Sequence, residues 1–155
     1  MNGGKASWAP SGASIRSPAR YPVPSSVICL SIDELPKLRE RYGQAGVEAA
    51  MRTLAQTLEG SLRSTDLVGR LLDQEFVAIL SECGENEVLR VGDRLCKTVR
   101  RAGIPWWGDT LHVTVSIGAA VAHDSDTPGS IVSRAESALR ECIAAGGDRA
   151  AVIHS

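Results

Sequence analysis

Between residues 27 and 153 the hydrophobic period switches repeatedly, and that alternation restricts the folds open to this chain more than any other feature. Val27 to Ile32 is a short apolar run and reads as a buried strand. Asp33 is placed to cap a helix starting at Glu34, with Pro36 in the first turn, where its missing N–H costs little. Gly43 breaks that helix. Val47, Met51, Leu54, Leu58 and Leu62 then recur at spacings of three and four, one apolar helix stripe. Leu67 to Leu71 and Phe76 to Leu80 read as two strands across a tight turn. Val88, Val91, Leu95 and Val99 mark another helix. Leu111, Val113, Val115 and Ile117 alternate with His112, Thr114, Ser116 and Gly118, the period of a half-buried strand. Ile131, Ala135, Ala138 and Cys142 mark a last helix, ended by Gly146 and Gly147. Ala150 to Ile153 reads as an edge strand. The order strand, helix, helix, hairpin, helix, strand, helix, strand predicts a sheet covered by helices.

Residues 1–24 show neither period. Pro10, Pro18, Pro22 and Pro24 fall there among Gly, Ser and Ala, the composition of a flexible tail or linker. Residues 25–155 are then one domain with a core of its own. The net charge of −1 gives no basic face for nucleic acid and none for a membrane surface. No apolar run approaches a membrane span, and no signal-peptide core follows the start, so a soluble cytoplasmic domain is expected. Cys29, Cys83, Cys96 and Cys142 lack metal-ligand or disulfide spacing and read as small core residues. His112, His123 and His154 have no ligand partners at useful spacing and receive no role. Trp106 and Trp107 are adjacent, so one is expected to pack and the other to be exposed, at a loop or a partner surface.

Four segments fall into one register: Asp66 to Arg70 (DLVGR), residues 70–80 (RLLDQEFVAIL), residues 114–122 (TVSIGAAVA) and residues 135–149 (AESALRECIAAGGDR). Together they resemble the GGDEF family, the diguanylate cyclases, over about residues 25–153. The resemblance implies an α/β fold (an α+β sandwich) with a central, mainly antiparallel five-stranded sheet flanked by helices, related to nucleotidyl cyclases and polymerase palms. Gly146-Gly147-Asp148 imitates the family signature but follows a helix, and it reads as a helix C-cap.

The family's reaction joins two GTP molecules and needs carboxylates for a divalent metal, cations for phosphates, and groups that read guanine. In the matching register, Leu72 and Asp73 stand at the two signature glycines and Gln74 at a metal carboxylate. Glu75 keeps the fourth letter. Ser31 stands at the other metal carboxylate and Pro36 at a phosphate-side lysine. Ile143 and Gly147 stand at the lysine and arginine of the last helix. Arg39 replaces the guanine-reading asparagine, and Glu48 partly keeps the guanine-reading acid. Neutral oxygens bind Mg²⁺ poorly, and Leu72 occupies space where the family brings its backbone to phosphate. The resemblance therefore implies no catalysis, no metal and no cofactor. Asp33, Asp73 and Glu75 stand on neighbouring strands as an alternative metal set; the plainer reading is a polar strand end with solvated carboxylates.

A second family site is retained. Arg63-Ser64-Thr65-Asp66 matches the RxxD inhibitory site, and Arg94, with Arg90 one turn earlier, matches its third contributor. These groups suit cyclic di-GMP: a guanidinium forks onto guanine O6 and N7 or stacks on the base, and a carboxylate accepts from N1 and N2. The plainer reading is an exposed Arg63–Asp66 pair capping a turn. The sequence thus points first to an inactive GGDEF domain acting as a cyclic di-GMP-binding signalling effector. The second reading is a nucleotide-free scaffold that forms a homodimer or pairs with a partner signalling protein. An active cyclase comes last, because its carboxylates and cations are missing.

Overall fold

The computed structural model describes residues 24–71 and 74–153. Seven strands and three helices follow one another as β1 (Ser26–Ile32), α1 (Leu35–Ser61), β2 (Leu67–Leu71), β3 (Glu75–Leu80), α2 (Glu85–Arg101), β4 (Ile104–Trp106), β5 (Asp109–Leu111), β6 (Val115–Val121), α3 (Pro128–Ala144) and β7 (Arg149–Ile153). Five strands form one sheet in the order β2-β3-β1-β6-β7. The β2–β3, β3–β1 and β1–β6 pairs are antiparallel, and only β6–β7 is parallel. This is the helix-covered, mainly antiparallel sheet that the sequence implies.

Side-chain alternation explains the layers. Ile28, Leu30 and Ile32 point to one face of β1 and pack with Leu54, Leu58, Val88 and Leu95 of α1 and α2. Val27 and Cys29 point to the other and pack with Ile131, Ala135 and Leu139 of α3. The α3 backbone lies directly on β6. A Cβ at Gly118 would sit 2.1 Å from Leu139 N and 2.2 Å from Ala135 O, so only glycine fits that contact. All four cysteines are buried and free, as core residues.

Three local expectations need correction. Asp33 does not cap α1. The cap residue is Glu34, in a left-handed conformation at φ 56°, and no side chain caps the helix. The Asp33 carboxylate is engaged elsewhere, as described below. The strand expected from Leu111 to Gly118 is divided, because Leu111 belongs to β5 and residues 112–114 are not strand. Strands β4 and β5 form a separate antiparallel hairpin that the sequence reading missed, turning through Trp107 (φ 46°) and Gly108 (φ 81°). Trp106, the last β4 residue before the turn, meets Tyr42 edge-on at 5.9 Å, while Trp107 is 90% exposed. One tryptophan packs and the other does not, as adjacency requires. Gly43 interrupts α1 at φ 74°, as expected of a helix breaker.

Candidate functional site

The β2–β3 hairpin defines two candidate regions, one at each end. Its strands pair from Leu67↔Ile79 to Leu71↔Glu75, the hairpin the sequence predicts. Leu72 and Asp73, at the tip, lie outside the described residues.

At the closed end, Ser31 of β1 stands between Glu75 of β3 and Ser116 of β6. A cavity of about 480 Å³ opens here, lined by Ser31, Glu34, Leu35, Pro36, Gln74 and Glu75 among others. A second, of about 290 Å³, lies between residues 32–34 and Ile143, Gly146 and Gly147. Among the described residues, neither lining contains a lysine or an arginine. Ile143 is 49% exposed and presents hydrocarbon to the second cavity. Burial pushes the Glu75 carboxyl up to about 7; the adjoining Glu136 carboxyl adds to the shift and Arg140 opposes it. Glu75 Oε2 is buried without a hydrogen-bond partner.

Asp33 lines the second of these cavities, with its carboxylate oxygens already engaged. Its Oδ2 accepts from Thr114 Oγ1 at 2.6 Å and from Asp148 N at 2.8 Å, and its Oδ1 accepts from Ser116 Oγ at 2.6 Å. Gly147, at φ 77°, closes over it, and a Cβ there would lie 2.8 Å from the carboxylate. Asp33 is thus a half-buried carboxylate committed to three hydrogen bonds within the fold. Among the described residues, no three His, Cys, Asp or Glu side chains converge on a metal position. Arg100 grips the Asp148 carboxylate with Nε and Nη2 at 3.0–3.2 Å, tying α2 to the same turn.

At the open end the retained residues do come together. Arg63 and Asp66 lie in the turn between α1 and β2, and Arg90 and Arg94 lie on α2. All four line one cavity of about 380 Å³, together with Glu87 and Val91. Their spacing explains the convergence, because Arg90 and Arg94 are four apart and share a helix face. The Asp66 carboxylate accepts from Arg63 N at 2.9 Å and from Ser81 N at 3.1 Å. Arg63 Nε is 3.6 Å from Asp66 Oδ2, and its Nη2 donates to the Ser81 carbonyl. Arg94 Nη2 donates to Ser61 O at 3.3 Å. The Asp66 side chain is only 3% exposed, against 55% for Arg63. Asp66 is thus first a turn cap that fixes Arg63, and the arginines are the exposed groups of the cavity.

Ser81 was not singled out from sequence. Hairpin register was the available signal: Leu67 opposes Ile79, which brings Thr65 opposite Ser81, and Ser81 Oγ donates to Thr65 O at 3.2 Å.

The sequence model of the family described as "Diguanylate cyclase, GGDEF domain" matches residues 13–149. Diguanylate cyclase A of Treponema denticola is 28% identical over 125 residues, covering 80% of this chain and 34% of that protein. The chain therefore spans about a third of the length of that relative. Among solved structures, the active GGEEF domain of a diguanylate cyclase from Vibrio cholerae matches with a TM-score of 0.85 at 20% identity, covering 96% of this chain and 94% of that one. The GGDEF domain of DgcB from Caulobacter crescentus, in complex with c-di-GMP, matches at 0.84 and 18% identity, covering 94% and 86%. At such identities these two structures speak for the fold. Among the described residues, no helix is long and apolar enough to cross a membrane.

Proposed function

The chain belongs to the GGDEF domain family, and from that premise we propose that it is a catalytically inactive member that binds cyclic di-GMP at the cavity of Arg63, Asp66, Arg90 and Arg94. One observation carries the reading: these four residues, from two separate elements, line a single cavity of about 380 Å³. The arginines are the guanine- and phosphate-reading groups. Asp66 holds Arg63 in place through the turn. The closed end supports the loss of catalysis, because Ser31 and Gln74 offer neutral oxygens to a metal and Ile143 offers no charge to phosphate.

Titration calorimetry of the chain with cyclic di-GMP, GTP and ATP tests this. Cyclic di-GMP is expected to bind, and GTP with Mg²⁺ to bind no better than ATP. Absence of heat with cyclic di-GMP leaves the second reading, a nucleotide-free scaffold for a homodimer or a partner signalling protein. The exposed Trp107 on its hairpin favours that alternative.

A further inference from the structure

The arginine cavity shares a wall with the point where the chain enters the sheet. The shared element is residues 81–84. Arg63 Nη2 donates to Ser81 O, and Ser81 N is held by Asp66 Oδ1 at 3.1 Å. Two residues on, Cys83 N donates to Pro24 O at 2.8 Å. Ser26 Oγ donates to Cys83 O at 2.6 Å, and Ala122 N donates to Ser25 O at 2.8 Å. Between the two grips, Glu82 sits at φ 49°, a left-handed conformation that a residue with a side chain rarely holds. Ser26 is fully buried and Cys83 is 3% exposed, so neither can exchange its partner for water. Residues 81–84 thus join the Arg63 contact to Pro24–Ser26 through a continuous run of hydrogen bonds.

We propose that Arg63 is a latch. In the ligand-free chain it holds Ser81, and through residues 81–84 it fastens the entry segment Pro24–Ser26. A guanine-bearing phosphodiester that takes the Arg63 fork releases it. The competition is one of orientation: the guanidinium is a rigid planar fork, and aligning it on guanine O6 and N7 turns Nη2 away from Ser81 O. A ligand shifts a conformation only by interacting differently with its two states, and the Ser81 contact is that difference. This inference rests on the ligand reading above and supplies its output: occupancy of the cavity is read at the chain's entry to the domain.

Residue-resolved amide hydrogen exchange on the full chain tests it at Cys83 and Ala122, whose N–H groups end on Pro24 and Ser25. Saturating cyclic di-GMP is expected to speed exchange at Cys83 about tenfold, the loss of one charge-assisted hydrogen bond. Arg63→Ala is expected to give the same acceleration with no ligand. Ser26→Ala leaves the arginines and Asp66 in place, so cyclic di-GMP is expected still to bind, no more weakly than to the wild type. In that variant Cys83 exchange is already fast and no longer responds to ligand. If calorimetry shows binding but Cys83 exchange is unchanged or slower, the latch is overturned and the ligand site stands. The same holds if ligand-free Arg63→Ala exchanges like the wild type. If no binding heat is seen, the ligand reading itself fails and ligand-driven release fails with it.

Discussion

The β2–β3 hairpin runs between two ends of different character. At its open end, Asp66 and Ser81 are joined through backbone and side chain, and Arg63, Arg90 and Arg94 surround one cavity. At its closed end, Ser31 and Glu75 still face each other across the β1–β3 pair, but no cation lines the cavity beside them among the described residues. The strands between them are equally well formed. Their register is set by buried Phe76, Val77, Ala78, Ile79 and Leu80, none of which does chemistry. Polar residues at a strand end can therefore differ widely while the strand remains, because apolar alternation holds the sheet. The open end differs because its polar residues also satisfy backbone groups. Asp66 cannot be exchanged freely without leaving two N–H donors unpaired.

The contrast is most exposed to an activity measurement. Incubation with GTP and Mg²⁺ or Mn²⁺ is expected to yield no cyclic di-GMP above a no-protein blank. Turnover that disappears in Glu75→Ala would break the comparison outright. The next effect in size is at the open end. Arg63→Ala is expected to weaken cyclic di-GMP binding about tenfold or more, since a charge-assisted hydrogen bond is worth roughly 1.5–3 kcal/mol. Arg63→Lys is expected not to restore it, because an ammonium lacks the planar fork. Equal affinity in wild type and both variants would place any ligand elsewhere.

The smallest effect sharpens the closed end. Glu75 is an acid whose folded pKa, about 7, lies above its ordinary 4.5. The folded chain holds that proton more tightly than the unfolded chain does. Its contribution to stability is thus fully present below pH 4.5 and is lost as pH rises through about 7. Glu75→Gln removes the ionisation, so the variant is expected to melt at a higher temperature than wild type at pH 8. The gap should narrow toward pH 5. Melting curves that run parallel from pH 5 to pH 8 would show that Glu75 is ionised throughout.

Much of this was legible in the sequence where a period or a register carried it. The stripe Val88, Val91, Leu95 and Val99 gave α2, and the hairpin survived its unusual tip because the flanking apolar runs were intact. The convergence of Arg63, Asp66, Arg90 and Arg94 was readable from register and from the four-residue helical spacing. Asp33 was not. As a strand-ending aspartate before a helix it has the local signature of a cap, and only Thr114, Ser116 and Asp148, remote in sequence, reveal its partners. The β4–β5 hairpin was also hidden. Each strand has three residues, too short for a period, and its turn places Trp107 where Asn or Gly is the usual signal.

The Asp33 contacts also bear on how fast the chain folds and unfolds. Its three side-chain hydrogen bonds close separations of 81, 83 and 115 residues. Loops of that length cost entropy before any contact is made, so such bonds form after the local hairpins and helices. Interactions made late are absent from the rate-limiting ensemble for folding. Weakening them leaves the folding rate nearly unchanged and shortens the lifetime of the native state. A single carboxylate beneath a glycine turn is therefore expected to act as a kinetic brake on opening, joining the end of β1, the start of β6 and the turn before β7; Asp33→Asn should unfold faster while folding at nearly the same rate.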